Sequence, residues 1–251
     1  MNITSDHSHV QRAADRFASV AGDPLVIEWH VQKHIMFCFE VDTDALEPLL
    51  PPELTLVEVR PGVGLFSVSG LLYKAGNFGP GSPEFFELVS VAHVQPDLSV
   101  KMPVSRFAMH AISVWSDSPD FVRQEGEKLF TPTTLEPTLD LRFSEDWSAL
   151  EARDASGPIL SLRNTHPRPV FTADEMWGQH YNDTRGLHFG VYEWDGVKFE
   201  HMQKGDAAQF HPHPFFKGMD LRKVRGCYRQ MIQQPGTSAV ERFYRMRQLR
   251  A

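Results

Sequence analysis

The sequence predicts an α+β fold built mainly of antiparallel strands, with a few helices packed on them. Segments rich in β-branched and aromatic residues recur along the chain, and residues 34–41 and 85–94 are the clearest examples. Clusters of glycine and proline, such as residues 75–83, separate these segments. Because helical periodicity is restricted to a few stretches, strands dominate the expected architecture.

Alternating and apolar segments place the strands along the chain. Strands are predicted at residues 34–41, 62–74, 85–94, 100–115, 138–144, 158–164 and 186–202, with 100–115 forming one long strand or a pair. Asp195-Gly196 is a dipeptide typical of hairpin turns, so it is expected to divide the last segment into two strands. Along 85–94, alternation should turn Phe85 and Glu87 to one face and Phe86 to the other.

Helices are expected where the hydrophobic period lengthens. Residues 10–20, 42–50, 116–130, 223–234 and 238–249 show helical spacing, and Pro51-Pro52 is expected to end the second of these helices. Asp42 or Thr43 is expected to cap the second of these helices. Ser118, followed by Pro119 in the first turn, is expected to cap the third.

Composition limits the classes of function. The chain has 251 residues, of which 41% are hydrophobic and 23% charged, which is ordinary for a globular protein. A net charge of −7 argues against a general nucleic-acid or membrane-surface role. The basic stretch 220–250 is read as a solvated helix pair or, as the alternative, an anion site. No segment approaches the roughly 18 apolar residues of a membrane span, so we expect a cytoplasmic protein.

No linker or repeat divides the chain. Residues 1–29 are expected to form an N-terminal segment with a short helix, and residues 30–251 a single domain that assembles as a homo-oligomer. Cys38 and Cys227 are too few for a disulfide framework.

The histidines raise the question of a metal site. His211 and His213 would point the same way on a strand, and His180, His188 and His201 lie on neighbouring segments. A zinc site needs at least a third ligand, and no His-Glu-x-x-His pattern supplies one. We therefore expect neither a bound metal nor another cofactor.

Four motifs occur in a fixed order along roughly residues 30 to 247. They are "FCFEVDTDALEPLLPPEL" (37–54), "FFELVSVAHV" (85–94), "WSDSPDFVRQEGEKLFTPTTLEP" (115–137) and "AQFHPHPFFKGMDLRKV" (208–224). In this order and spacing they resemble the acetoacetate decarboxylase family. The resemblance implies an antiparallel β-barrel or sandwich around a buried, largely apolar pocket.

In that family, a lysine of a Pro-Lys-Lys segment forms a Schiff base with a β-keto acid, and a strand glutamate moves protons nearby. The resemblance puts Glu87 at the glutamate position and Thr133 and Thr134 where the lysine pair would be. A threonine hydroxyl cannot form an iminium, so the chain resembles a divergent member without this electron sink. Ser67 takes the place of a second acidic residue, and Gln32 or Lys33 that of an arginine.

Three further side chains are candidates for the site. Arg106 could hold a substrate carboxylate through two hydrogen bonds, although a rim salt bridge is the alternative. His110, on the same segment, is a further candidate for substrate binding. Lys128 could act as a relocated catalytic lysine, or it could be a solvated helix residue paired with Glu125 and Glu127.

The sequence therefore predicts an enzyme for a small carbonyl or carboxylate metabolite, working through an enolate without an imine. Glu87 would act as general acid or base, and the hydroxyls of Thr133, Thr134 and Ser67 would hold the substrate oxygen. Isomerisation, dehydration, cyclisation and C–C cleavage all fit this description. The alternatives are a non-catalytic binding protein with the same pocket and a decarboxylase that uses Lys128.

Overall fold

The computed structural model describes most of the chain between residues 25 and 246. The described residues are 25–95, 108–129, 131, 133–145, 148–163, 169–183, 186–200, 207–221, 224, 230–233 and 239–246. Side chains are described for these residues except 25–28, 128–129, 169–183, 186–200, 230–233 and 239–246. The helix predicted at residues 10–20 lies outside the described residues.

Strands make up most of the described chain. They are β1 (Leu25–Asp42), β2 (Glu58–Arg60), β3 (Val63–Tyr73), β4 (Phe85–Val94), β5 (Ala108–Ser116), β6 (Thr133–Leu135), β7 (Asp140–Phe143), β8 (Ala149–Asp154), β9 (Gly157–Arg163), β10 (Pro169–Asp183), β11 (Gly186–Glu200), β12 (Ala207–Phe210), β13 (Gln230–Gln233) and β14 (Ala239–Met246). The helices are short: α1 (Thr43–Leu46) continues into a 3-10 turn (Glu47–Leu49), α2 (Pro119–Gln124) continues into a π-helical turn (Glu125–Leu129), and Pro214–Phe216 forms another 3-10 turn. The predicted α+β class with mainly antiparallel strands is confirmed.

The strands form two sheets. The large sheet has ten strands, and its pairings lead from β1 through β3, β4, β5, β10, β11 and β14 back to β1. This return is achieved because β1 is 18 residues long, pairing with β14 over Leu25–Val31 and with β3 over Val31–Asp42. Four strands in the order β12-β9-β8-β7 form the small sheet. Only the β5–β10 and β5–β6 pairs are parallel among the described pairings.

The small sheet covers one face of the large sheet. Phe37, Phe66 and Leu88 of the large sheet share a buried cluster with Leu150 and Leu160 of the small sheet. The opposite face, called the inner face here, carries a second cluster that includes Trp29, Tyr73 and Phe85. The predicted alternation along β4 is confirmed, since Phe85 and Val89 pack in the inner cluster while Phe86 and Leu88 pack in the outer one.

A side-chain N-cap hydrogen bond stabilises α2 but not α1. Ser118 caps α2 as predicted, because its Oγ accepts a hydrogen bond from the backbone N–H of Phe121 at 3.2 Å. Asp42 occupies the N-cap position of α1 but makes no side-chain cap hydrogen bond. Tertiary contact therefore holds α1, whose Leu46 is fully buried. In the part of the chain that the structure describes, no helix is long and apolar enough to span a membrane.

The two C-terminal helices predicted at residues 223–234 and 238–249 were wrong. Gln230–Gln233 forms β13 and Ala239–Met246 forms β14. β14 lies between β1 and β11 and pairs with both, so its backbone hydrogen bonds come from partners distant in sequence. These pairings override the local helical spacing, as tertiary context commonly does.

The hairpin predicted at Asp195-Gly196 was also wrong. Both residues lie inside β11, where the pairing with β10 shifts register between Glu175↔Trp194 and Ala173↔Val197. Two residues of β11 thus face one residue of β10, which is a β-bulge. Glycine in a strand interior marks such bulges as readily as it marks turns.

We expect Gly70→Ala to destabilise the protein by about 1–3 kcal/mol, because the added methyl group overpacks the contact between the sheets. A Cβ at residue 70 would lie 2.7 Å from Leu150 Cδ2, whereas a Cβ at Gly126 would meet nothing within 4 Å. Urea unfolding of Gly70→Ala, with Gly126→Ala as control, measures the difference. The double variant Gly70→Ala, Leu150→Ala should lose less free energy of unfolding than the two single variants lose in sum. A fully additive loss would contradict this close approach.

Candidate active site

Glu87 lies on the inner face of the large sheet, where β4 holds it away from bulk water. It is opposite Leu71 on β3 and Ser116 on β5, so strands flank it on both sides. Its exposure is 9%, which places it among the buried charged residues. The neighbouring Phe86 and Leu88 are packed between the sheets, which prevents this part of β4 from turning Glu87 outward.

Aromatic rings surround the hydroxyl group that hydrogen-bonds to Glu87. Tyr73 Oη donates a hydrogen bond to Glu87 Oε2 at 2.6 Å. The Tyr73 ring stacks on Phe85 at 4.6 Å and contacts Phe121 at 5.5 Å. Burial raises the pKa of Glu87 to about 7, and the hydrogen bond from Tyr73 opposes part of that shift by favouring the carboxylate.

A second buried carboxyl group, Glu125, lies beside Glu87. It is 3% exposed and begins the π-helical turn that follows α2. Burial and the nearby charge of Glu87 together raise the pKa of Glu125 to about 8, against an opposing hydrogen bond from the Thr131 hydroxyl. Two carboxyl groups in this position disfavour double ionisation, which is the arrangement that divides acid and base roles between them.

Sequence reasoning missed Glu125, which it treated as a solvated ion-pair partner of Lys128. The neighbouring Glu127 does behave in that way, with a side chain 64% exposed and 3.8 Å from Arg123. The signal was the spacing of Phe121 and Glu125, four residues apart on one helix face, because Phe121 is fully buried. The Lys128 side chain lies outside the described residues.

The threonine segment contributes two buried hydroxyls, but they are not the predicted pair. Thr133 pairs with inward-facing Val114 and Thr134 with Trp115, so Thr133 and Thr134 point to opposite faces. Thr134 is exposed, which corrects its predicted place in the site. Thr131, 2% exposed, takes its place. Thr133 Oγ1 has no hydrogen-bond partner among the described residues, whereas the Thr131 hydroxyl interacts with the Glu125 carboxyl.

The segment is held in place by its own backbone. Thr131 N–H donates to the Glu125 carbonyl at 3.2 Å, and Thr133 N–H donates to the Thr131 carbonyl at 2.8 Å. These bonds return the chain from the π-helical turn to β6. They bring the two threonine hydroxyls and the Glu125 carboxyl into one short stretch of chain.

The glycine-rich loop at residues 75–83 closes over the aromatic end of the site. Asn77 exchanges hydrogen bonds with the backbone of His30, at 2.8 Å to the N–H and 3.0 Å to the carbonyl. Phe78 then packs against Trp29 and Phe85 at 5.3 and 5.2 Å. The loop thus covers the ring cluster that surrounds Tyr73.

Other predicted site residues are placed elsewhere. Lys33 faces the small sheet, with its Nζ 5.5 Å from the Phe143 ring centre, and Gln32 lies in a β-bulge beside it. His110 pairs with Ala92 and therefore faces the outer cluster, opposite to Glu87. Lys33 and His110 therefore do not share the inner face with Glu87, and Arg106 lies outside the described residues.

Ser67 is on the inner face but is distant from Glu87. Its Oγ lies 2.7 Å from His93 Nε2, and Cys38 Sγ lies 3.9 Å from the same nitrogen. His93 is six residues beyond Glu87 on β4, a separation of about 20 Å along a strand. We call Cys38, Ser67 and His93 the distal cluster.

The histidine pair considered for metal binding has a structural role at His213. His213 Nε2 lies 3.0 Å from Asp154 Oδ2, and its Nδ1 accepts a hydrogen bond from the Phe215 N–H at 3.2 Å. Burial opposes ionisation of Asp154, but hydrogen bonds from Ser156 and His213 outweigh it and lower the pKa of Asp154. No group of three or more potential metal ligands occurs among the described residues.

Raised carboxyl pKa values make stability depend on pH. A carboxyl with a raised folded-state pKa contributes stability that is complete below its unfolded pKa, 4.5, and is lost as pH rises through about 8. Between pH 5 and 8, the free energy of unfolding of the wild-type protein should fall by on the order of 2 kcal/mol more than that of Glu125→Gln. Urea unfolding across this range tests it. Glu127→Gln, the exposed control, should follow the wild type; parallel curves for all three proteins would be the contrary result.

The comparisons with known proteins agree with this geometry at the level of fold. No protein-family model and no curated protein matched the sequence. An acetoacetate decarboxylase-like enzyme from Sphingomonas wittichii RW1 superposes with a TM-score of 0.54 and 11% identity, over 89% of this chain and 92% of that chain. The enduracididine biosynthesis enzyme MppR complexed with pyruvate superposes with a TM-score of 0.54 and 11% identity, over 88% of each chain.

An acetoacetate decarboxylase itself superposes with a TM-score of 0.53 and 11% identity, over 87% of this chain and 86% of that chain. At this identity the likeness establishes the fold alone. The chain has the fold of acetoacetate decarboxylase and its structural relatives.

Proposed function

We propose that this chain is an enzyme that forms an enol or enolate from a small carbonyl compound by acid–base catalysis, without an imine. The observation that carries the proposal is the buried pair Glu87 and Glu125, with the Thr131 hydroxyl against Glu125 and the unpartnered Thr133 hydroxyl in the same segment. A purely structural core has no use for such groups, since each buried polar atom without a partner costs stability. A ligand oxygen in their midst would supply the missing partner.

The two carboxyl groups are suited to opposite roles near neutral pH. Glu87, with its pKa near 7, is partly ionised and stabilised as the carboxylate by the Tyr73 hydroxyl. Glu125, with its pKa near 8, retains its proton. One group can therefore accept a proton while the other donates one, as general acid–base catalysis requires.

The step follows from these roles. The Glu87 carboxylate removes a proton from the carbon next to the substrate carbonyl, and the C–H electron pair becomes the new C=C bond. The carbonyl π electrons move to oxygen, which takes the proton of Glu125. Thr131 and Thr133 donate hydrogen bonds to the same oxygen and favour the charge that develops there. Reversal on another carbon gives isomerisation, and loss of a neighbouring group gives elimination or C–C cleavage.

The structural relatives are consistent with carbonyl chemistry. One is named as an acetoacetate decarboxylase, and another was crystallised with pyruvate, which is itself a carbonyl acid. These are properties of those proteins, and they motivate the choice of small keto compounds as probes.

Glu87→Gln should reduce enolisation by about 100-fold or more, because it removes the base while retaining the shape of the side chain. Exchange of α-hydrogens for deuterium in butan-2-one and pyruvate, followed by NMR in D2O, measures the step directly. Glu84→Gln is the matched control, since Glu84 is an exposed carboxylate three residues earlier. If the wild-type protein binds these ketones but does not accelerate exchange, it is a binding protein and the enzymatic proposal fails.

We also expect no covalent imine. Borohydride reduction of the protein in the presence of acetoacetate should leave its intact mass unchanged, because threonine occupies the segment where a lysine pair would be needed. A stable adduct mapped to Lys128 or Lys101 would overturn the enolate proposal in favour of a relocated lysine.

A further inference from the structure

A cavity of 660 Å³ is lined by a part of the chain that the proposed reaction does not use. One part of its wall is formed by the end of β1, by α1 and by the 3-10 turn that continues α1, and another part is formed by residues 217–220. Small-molecule sites commonly enclose about 300–1,000 Å³, so this volume suits a ligand. The cavity is therefore a candidate for a second binding site.

Part of the cavity wall is apolar. Leu49 and Met219 line it and are only partly buried, although both pack against the buried cluster between the two sheets. Ala45 and Val224 continue this surface and are likewise half-buried. The apolar part of a ligand would therefore find a surface that the core supports from behind.

Acidic side chains lie around this apolar surface. Asp42, Asp44 and Asp220 line the cavity and are exposed, and Lys217 is the one basic side chain among the described lining residues. Within the described part of the chain, neither Asp42 nor Asp44 forms an ion pair. Asp42 also makes no cap hydrogen bond to α1. The charges of these two carboxylates are therefore available to a ligand of opposite sign.

A buried hydroxyl group is directed at the same cavity. Thr43 lines the cavity and is only 6% exposed. Its methyl carbon would lie 3.7 Å from a Cβ at Gly64, so the hydroxyl is the branch that points away from Gly64 and toward the cavity. The Thr43 N–H donates to the Gly62 carbonyl at 3.1 Å, but the Thr43 hydroxyl has no hydrogen-bond partner among the described residues. A ligand donor would supply one.

The carboxylates are not arranged for a metal ion. In the described ranges, no three His, Cys, Asp or Glu side chains converge closely enough to hold one. An organic ammonium group needs no such shared coordination sphere, because it is attracted by carboxylates at several ångströms and donates hydrogen bonds to those that it reaches. Separated carboxylates beside an apolar wall therefore match an organic cation better than an inorganic one.

We propose that this cavity binds an organic cation in which an ammonium group is attached to an apolar body. The ammonium group donates hydrogen bonds to the Thr43 hydroxyl and to the carboxylates of Asp42 and Asp44, and the apolar body covers Leu49 and Met219. The site is independent of the proposed reaction, since it shares no residue with it.

The class of ligand is tested with three compounds of equal length. Octan-1-amine, which is protonated at pH 7 as a lysine side chain is, should bind roughly tenfold more tightly than octan-1-ol in isothermal titration calorimetry. Butan-1-amine should bind more weakly than octan-1-amine, because it covers less of the apolar wall. Octanoate that binds as tightly as octan-1-amine would overturn the proposal.

The position of the ligand is tested with the Met219 methyl group. In protein labelled with [13C-methyl]methionine, the Met219 signal is the one that is missing from Met219→Leu. Octan-1-amine should shift this signal with the same dissociation constant that calorimetry gives. An amine that binds by calorimetry but leaves the Met219 signal unchanged occupies another place, and the proposal then fails.

Charge variants test the recognition of the ammonium group. The double variant Asp42→Asn, Asp44→Asn should bind octan-1-amine roughly tenfold more weakly or worse, because it removes both uncompensated charges. Glu53→Gln is the matched control, since Glu53 is an exposed carboxylate that does not line the cavity. Thr43→Val keeps the shape of the side chain and should weaken binding by about threefold or more.

Lys217 distinguishes a cation from a zwitterion. Lys217→Gln removes a charge of the same sign as the ligand, so octan-1-amine should bind more tightly to this variant than to the wild type. We expect 6-aminohexanoate, which carries both charges, to bind the wild type more weakly than hexan-1-amine does. Preference for 6-aminohexanoate that is lost in Lys217→Gln would show that the lysine holds an anionic group, and the assignment as a cation site would be wrong.

The two sites are separated by variants of each. Glu87→Gln should bind octan-1-amine as the wild type does, and the double variant Asp42→Asn, Asp44→Asn should retain α-hydrogen exchange of ketones. Amine binding that is lost in Glu87→Gln would place the amine at the candidate active site. That result would refute this inference and leave the proposed function standing.

Discussion

Side-chain alternation along β4 is the constraint on which the arrangement of the molecule depends. Leu88 and Ala92 are locked between the two sheets, so Glu87 and His93 must face inward. A carboxyl group held in this way cannot turn to water to recover its hydration. Burial favours the protonated carboxyl and raises its pKa, while the Tyr73 hydrogen bond favours the carboxylate, and the balance leaves the pKa at about 7. Packing on one face therefore sets the chemistry on the other.

The second carboxyl group increases the free-energy cost of burying acidic side chains at this site. Glu125 is positioned by α2, whose Phe121 packs into the inner cluster and directs the same helix face inward. Placing two acidic groups together and leaving the buried Thr133 hydroxyl without a partner is unfavourable for folding alone. Conflicts of this kind concentrate at functional sites, where the surrounding core overdetermines the geometry. Here the aromatic cluster around Tyr73 supplies that support.

The likeness to acetoacetate decarboxylase concerns the framework rather than the reactive group. In this fold, side chains on the inner face of the large sheet, such as Glu87, are removed from bulk water. An amine there is activated by desolvation, and a carboxyl there retains its proton by the same effect. Under the proposed function, one physical environment serves different chemistries according to which side chains the strands carry.

The sequence by itself determined the class of the fold, the strands containing Ser67 and Glu87, the inward direction of Glu87 and the cap at Ser118. These features depend on period-two alternation and local hydrogen bonding, which the order of residues along the chain contains. Only the tertiary structure decided that residues 239–246 form a strand, because their partners in β1 and β11 are distant in the chain. It also decided that Glu125 is buried and that Thr131 rather than Thr134 joins Thr133. Whether a polar side chain is buried depends on what packs over it, which no local pattern contains.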